Sequence, residues 1–181
     1  MARRSHWKSE LALVAATFTA YAHVGRNGFV WDDAFLTERN PYLSVDGVGK
    51  LLTSDLWVAS AKEEPSFYYR PLAAFSFAVN KWIGGNSAAS YHFGNVLLHA
   101  LVAVLVARAV RALHPKTTGA IPWLAGLCFA LLPVDSEAVV WIAGRFDLLG
   151  AAFALWAMAE YARRRTWSVL VAYAGAVFSK E

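Results

Sequence analysis

Val96-Leu97-Leu98-His99-Ala100-Leu101-Val102-Ala103-Val104-Leu105-Val106-Ala107 contains a single polar side chain, and it lies inside an apolar stretch covering about 93–110. A helix needs roughly 20 such residues to cross a hydrocarbon core about 30 Å thick. Four further stretches have the same character: 7–24 (core 11–22), 120–134, 148–161 and 167–178. Several are short, and flanking Trp, Tyr and Arg side chains that tolerate the interface extend them. Composition agrees. Charged residues make up 17% of the chain against about 25% in soluble domains, and eight Trp and eleven Phe add apolar area. A disordered chain is excluded, and a soluble globular domain fits poorly. The expected fold is an all-α polytopic membrane protein with about five transmembrane helices.

The net charge is +4, yet the basic residues form small clusters between apolar stretches rather than one stripe. That pattern argues against a nucleic-acid partner. Cys128 is the only cysteine, so no intramolecular disulfide can form. The Lys and Arg of short loops orient the spans. Arg3, Arg4 and Lys8, then Arg108, Arg111 and Lys116, then Arg163, Arg164 and Arg165 fall on one side, while the loop 135–147 carries only Arg145. The expected N-terminus is therefore cytoplasmic. A secretory signal peptide is the rival reading of the first stretch, with Ala20-Tyr21-Ala22 as its small-x-small site; both readings put the next segment outside the cytoplasm. Three regions follow: 1–24, the N-terminus and first helix; 25–90, an extracytoplasmic loop; and 91–181, four further transmembrane helices.

Most unusual polar groups collect on the outer side: Asp32, Asp33, Arg70, His92, Asn95, Asp135, Glu137, Arg145, Asp147, Lys180 and Glu181. Charge beside a bilayer is costly and marks function or pairing. Within 25–90, Asn40-Pro41 reads as a turn. Amphipathic helices are expected over 51–61 and over 71–83, the second opened by Pro71 and closed by Gly84-Gly85. Both would lie flat on the bilayer surface. The adjacent carboxylates Asp32 and Asp33 fit a general base, a pair of oxygen ligands for a divalent cation, or a helix cap. Arg70 beside Pro71 suits a phosphate, which a guanidinium grips through two hydrogen bonds, or a headgroup anchor. His92, Asn95 and His99, at i, i+3 and i+7, stripe one helix face; neighbouring helices satisfying them is the preferred reading over a metal site. The segments 133–137, with Asp135 and Glu137, and 144–147, with Arg145 and Asp147, bring opposite charges close enough to expect structural ion pairing. Glu160 lies at a helix end beside Arg163 and Arg164, so a transporter-like relay of intramembrane charges is disfavoured.

The ordered set Phe29-Val30-Trp31-Asp32-Asp33, Asn40-Pro41, Tyr69-Arg70-Pro71-Leu72, His92, Asn95-Val96-Leu97-Leu98-His99, Pro133-Val134, Ser136-Glu137-Ala138-Val139, Trp141-Ile142-Ala143-Gly144-Arg145, Asp147-Leu148-Leu149 and Ser179-Lys180-Glu181 resembles the transmembrane, tetratricopeptide-repeat-containing O-mannosyltransferase family and its bacterial relatives. These are GT-C type glycosyltransferases. The resemblance implies transfer of a sugar, with mannose a candidate, from a polyprenyl- or dolichyl-phosphate carrier to a hydroxyl of a protein or glycan acceptor, on the extracytoplasmic side and with inversion. It implies Asp32 or Asp33 as general base, Asp32 first, and Arg70 and Lys180 against the donor phosphate. His92, Asn95, His99, Glu137, Arg145 and Asp147 form the supporting polar site. Metal use varies in the class, which leaves a divalent cation open. The membrane would be a bacterial inner membrane or the endoplasmic reticulum. Leu132-Pro133-Val134-Asp135 departs from the family's His-Pro-Val-His, which puts any role of those histidines in doubt. Family members continue through more helices, so the chain is expected to be the N-terminal part of an enzyme. The alternative reading is a non-catalytic membrane subunit that binds a polyprenyl-phosphate lipid.

Overall fold

The computed structural model describes residues 6–60, 67–117 and 119–180. Arg3, Arg4, Ala61 and Glu181 of the sequence reading lie outside them. The described residues are helical with no β-strand: α1 Trp7–Ala20, α2 Val48–Thr53, α3 Pro71–Gly84, α4 Ala88–Leu113, α5 Ile121–Leu131, α6 Ser136–Val140, α7 Arg145–Ala162 and α8 Thr166–Val177, joined by short 3-10 and π turns.

Two helices are long and apolar enough to cross a membrane: α4, with 26 residues, and Ile142–Ala162, with 21. At about 1.5 Å per residue α4 reaches about 39 Å, more than the hydrocarbon core requires. A third candidate is the pair Ile121–Leu131 and Pro133–Val140, bent by 50°. The break falls at Pro133, which supplies no N–H to continue the ladder of α5. With 14 and 12 residues, α1 and α8 are shorter than the usual span.

α4 is the central post: α1, α5 and α7 all pack on it, and α8 packs on α7. Its inward face includes several small residues, with Ala100, Ala103, Ala107 and Ala109 buried. Small side chains allow the close backbone approach on which helix association in lipid depends. Leu97, Leu101, Leu124, Leu170 and Val171 are exposed on the bundle's exterior, as a surface solvated by lipid tails requires.

The described residues of 25–90 fold onto one end of this bundle. Leu36, Leu43, Leu51 and Leu56 share a buried cluster with Ala73, Phe77, Tyr91, Ile142 and Phe146. Asn40 caps the turn Pro41–Leu43, its Oδ1 accepting from Tyr42 N–H at 3.0 Å. α3 follows the sequence reading closely, with Pro71 at its first position and Gly85, at φ 64°, ending it in a conformation that costs glycine nothing. The expected helix over 51–61 differs. α2 stops at Thr53 because Ser54 is extended, the Asp55 carboxylate accepts from Trp57 N–H at 2.7 Å, and Leu56 N–H donates to Tyr68 O at 2.8 Å. A short Asp side chain offers the backbone this local alternative to a helix.

Candidate functional site

The acidic pair sits on a tight turn. Asp33 N–H donates to Val30 O at 3.0 Å, and Val30 N–H donates back to Asp33 Oδ2 at 3.1 Å. Trp31, at the apex, is forced to φ 48°, a left-handed conformation that costs a bulky residue roughly 1–2 kcal/mol. The residue is 79% exposed, and its indole meets Trp141 edge-on, with ring centroids 5.9 Å apart.

This turn gives the neighbouring carboxylates opposite surroundings. Asp33 is fully buried. Its Oδ1 accepts from Ala143 N–H at 3.1 Å, 110 positions along the chain, and Thr37 Oγ1 donates to its backbone carbonyl at 2.6 Å. Burial pushes the Asp33 carboxyl above the usual Asp range, with the backbone N–H donors of Val30, Ala143 and Ile142 and the nearby His92 pulling partly the other way. Asp32 is half-buried, and among the described residues no hydrogen bond or ion pair reaches its side chain.

The stripe on α4 meets backbone carbonyls. His92 Nε2 lies 3.3 Å from Gly28 O and His99 Nε2 lies 3.2 Å from Ala130 O. A carbonyl can only accept, so each Nε2 carries the proton. Asn95 Nδ2 donates to Trp141 O at 2.9 Å and Ile142 O at 3.2 Å. Three buried side chains thus tie α4 to the chain after α1, to the end of α5 and to the entry of α7, while Nδ1 of His92 and of His99 is buried without a hydrogen-bond partner among the described residues. Among the described residues no group of three or more His, Cys, Asp or Glu is placed to hold a metal ion.

Arg145 corrects the expected ion pairing. It is 2% exposed, and no carboxylate pairs with it among the described residues. Instead it donates to Asn95 Oδ1 at 2.8 Å, Asn80 Oδ1 at 2.9 Å, Tyr91 O at 2.8 Å and Ser76 O at 3.2 Å. Its guanidinium also lies over the Phe77 ring, 4.8 Å from the centroid. One buried cation therefore joins α3, α4 and α7. Gly94 is what lets them meet: a Cβ there would stand 2.3 Å from Asn80 Oδ1 and 2.6 Å from Arg145 Nη2. Asn80, Ser76 and Tyr91 escaped the sequence reading. The available signal was Ser76 and Asn80, polar residues at i, i+4 on a helix whose other residues, Lys81 apart, are apolar.

Asp147 pairs with Lys180 rather than with Arg145. Both are substantially exposed, at 52% and 43% of their side chains. Arg70 lies over the rings of Tyr68 and Phe146, 4.9 and 4.8 Å from their centroids. Leu72 N–H donates to Phe178 O at 3.2 Å, which ties the start of α3 to the end of α8. Glu137 is exposed at the start of α6, away from the Arg145 contacts. The segment 141–147 is thus a hub: Asp33 binds Ala143, Trp31 touches Trp141, Arg70 stacks on Phe146 and Lys180 pairs with Asp147. Alongside it, a cleft of about 670 Å³ opens between α1, α3 and α4, walled by Phe18, Phe75, Val79, Phe93 and Leu97, with Arg145 on its lining.

Protein O-mannosyl-transferase TMTC2 of Mus musculus is 33% identical over 169 residues, 88% of this chain and 20% of its own length. Protein O-mannosyl-transferase Tmtc1 of Drosophila melanogaster is 32% identical over 87% of the chain and 19% of its own length. For Protein O-mannosyl-transferase TMTC3 of Homo sapiens the values are 32%, 86% and 17%. The chain thus spans about a fifth of the length of these relatives. No family model and no solved structure matches it. A likeness of this depth over nearly the whole chain, on a helical bundle with membrane-length spans, amounts to a family-level resemblance to the TMTC-type protein O-mannosyl-transferases.

Proposed function

We propose that the chain forms the base-bearing portion of a GT-C type glycosyltransferase, which moves a sugar from a polyprenyl-phosphate carrier to an acceptor hydroxyl. The sugar is mannose if the relatives' printed name carries over. The observation that supports this most is the split of the acidic pair. Asp33 spends both carboxylate oxygens on the protein backbone, and Asp32 keeps a half-exposed, unengaged carboxylate one residue away.

In this reading Asp33 is a positioning residue that pins the turn to the entry of α7, and Asp32 is the general base. Asp32 takes the proton of the acceptor hydroxyl as its oxygen bonds to the anomeric carbon from the face opposite the phosphate. The bond from that carbon to the phosphate oxygen breaks, and its electron pair leaves with the phosphate. Arg70 and Lys180, both tied to the hub that holds Asp33, supply positive charge where negative charge develops. The apolar cleft between α1, α3 and α4 suits the carrier's hydrocarbon chain. Arg145 is assigned no phosphate, because its donors already serve Asn80, Asn95, Ser76 and Tyr91. α1 and α8 would complete five crossings as short spans, with α3 lying at the interface. The N-terminus would be cytoplasmic and the Asp32 end would face away from the cytoplasm.

The test is transfer from a dolichyl-phosphate-mannose donor by the full-length protein in membranes. Asp32→Asn is expected to lower turnover at least 10²-fold, the usual scale for a lost general base, with membrane insertion intact. Normal turnover by Asp32→Asn would remove the base assignment. Retained donor-lipid binding with no turnover in the wild type would favour a non-catalytic, lipid-binding subunit.

A further inference from the structure

The other end of the bundle carries a groove that the reading above leaves unused. Arg108 follows His92 on α4 by 16 positions, about 24 Å along the helix axis. There the end of α4, the start of α1 and the end of α7 enclose about 780 Å³, lined by Arg108, Arg111, Arg163, Arg165, Glu10 and Glu160 among others. Two carboxylates hold the four guanidiniums. Glu10 accepts from Arg108 at 2.7 and 3.0 Å and from Arg111 at 3.0 Å. Glu160, whose side chain is 7% exposed, accepts from Arg163 at 2.6 Å and from Arg165 at 3.3 Å. Four cations against two anions leave two positive charges in excess. Each guanidinium has five N–H donors, and these contacts use two of Arg108 and one each of the others.

The groove does not end at its polar wall. A second hollow of about 300 Å³ runs between α4 and α7, lined by Leu98, Leu101, Leu149 and Phe153, and it shares Leu105, Arg108 and Trp156 with the first. A cationic bay continuous with an apolar trench, and an indole at the junction, is the complement of an amphiphile with an anionic head. We propose that this site binds an anionic phospholipid, its headgroup phosphate among Arg108, Arg111, Arg163 and Arg165 and one acyl chain along Leu101 and Phe153. Surplus positive charge selects an anionic over a zwitterionic headgroup, as basic clusters at a membrane surface do. The trench selects a lipid over a free phosphate. The site lies at the end opposite Asp32 and stands independently of the transferase reading.

The experiment is native mass spectrometry of the full-length protein released from nanodiscs containing equal palmitoyl-oleoyl phosphatidylglycerol and phosphatidylcholine. Retained phosphatidylglycerol is expected to exceed phosphatidylcholine on the order of tenfold. Leu101→Trp fills the trench and leaves every charge in place; it should reduce the preference to about twofold. Glu10→Gln frees Arg108 and Arg111 and should raise phosphatidylglycerol retention severalfold. Glycerol phosphate at millimolar concentration should not compete. Equal retention of the two lipids, or lower phosphatidylglycerol retention by folded Glu10→Gln, would overturn the proposal in favour of a purely structural ion network. Competition by glycerol phosphate would reduce the site to a phosphate site without a lipid. Absence of lipid from wild type and Leu101→Trp alike would assign the groove to another segment of the full-length protein.

Discussion

Arg145→Lys keeps the charge and removes the fork, which separates the two things the buried guanidinium does. Arg145 bridges four oxygens, two on α3 (Ser76 O, Asn80 Oδ1) and two on α4 (Tyr91 O, Asn95 Oδ1). An ammonium is a single point with three donors. From one point it can reach the two oxygens of one helix, so about two hydrogen bonds to the cation are lost. Each is worth roughly 1.5–3 kcal/mol where one partner is charged. The stack on Phe77 weakens as well, giving a total near 4 kcal/mol. For a chain of this size that lowers Tm by about 8–15 °C. Thermal unfolding in detergent, followed by tryptophan fluorescence, reads it directly. Arg145→Met should cost at least as much, because it strands Asn80 and Asn95 acceptors in an apolar site. Adding Asn80→Leu to Arg145→Met should then recover about 1–2 kcal/mol, the burden of one unsatisfied amide. A Tm for Arg145→Lys within about 2 °C of wild type, or strict additivity of Asn80→Leu with Arg145→Met, would refute the hub.

Asp33 gives a pH signature. Its native carboxyl binds its proton more tightly than the unfolded chain's, whose value is about 3.9. Above that value the native state holds more protons, and the resulting stability is lost as pH rises toward the elevated native pKa. Wild type should therefore gain stability relative to Asp33→Asn between pH 7 and pH 4; a gap that moves the other way would contradict the burial account. Gly94→Ala drives a methyl into Asn80 and Arg145, and overpacking of this kind costs about 1–3 kcal/mol, read as a lower Tm. Lys180→Ala breaks only an exposed pair with Asp147, so Tm should move by no more than a change of about 1 kcal/mol allows, while affinity for a polyprenyl-phosphate donor falls; unchanged affinity would return Lys180 to a surface ion pair.

The long apolar helices were legible because their signal is local. The run 96–107 and the residues after Arg145 announce α4 and α7 through side chains that have no comfortable place in water. The ends of α3 were legible for the same reason, since Pro71 and Gly85 act on their own backbone. α2 was overread because one Asp at position 55 outweighs the apolar spacing of its neighbours. The acidic pair was visible as a pair, but its division was not. Which carboxylate is buried depends on Ala143 N–H, 110 positions away, and adjacent residues on a turn face opposite ways. The same distance hid the partners of Arg145. Sequence proximity suggested Asp147, whereas the helix carries Asp147 outward to Lys180 and turns Arg145 inward to amides and carbonyls.

Polar groups in this fold sort by whether the backbone uses them up. His92, Asn95, His99, Asp33 and Arg145 are all buried, and each bonds carbonyls, amide N–H groups or side-chain amides that tie one part of the fold to the next, Nδ1 of the two histidines being left without a partner among the described residues. A group held this way is fixed in place and has little capacity left for a substrate. Asp32 and the Asp147–Lys180 pair sit one or two residues from spent groups and inherit their rigidity without their commitments. Under the proposed function that arrangement suits a membrane site, because lipid offers no hydrogen bonds to steady a polar side chain. The neighbour must do it. Asp33 pins Asp32, and Arg145 pins the turn of α7 that carries Asp147. Loosening either anchor should therefore degrade chemistry at a residue it never touches, through position rather than through charge.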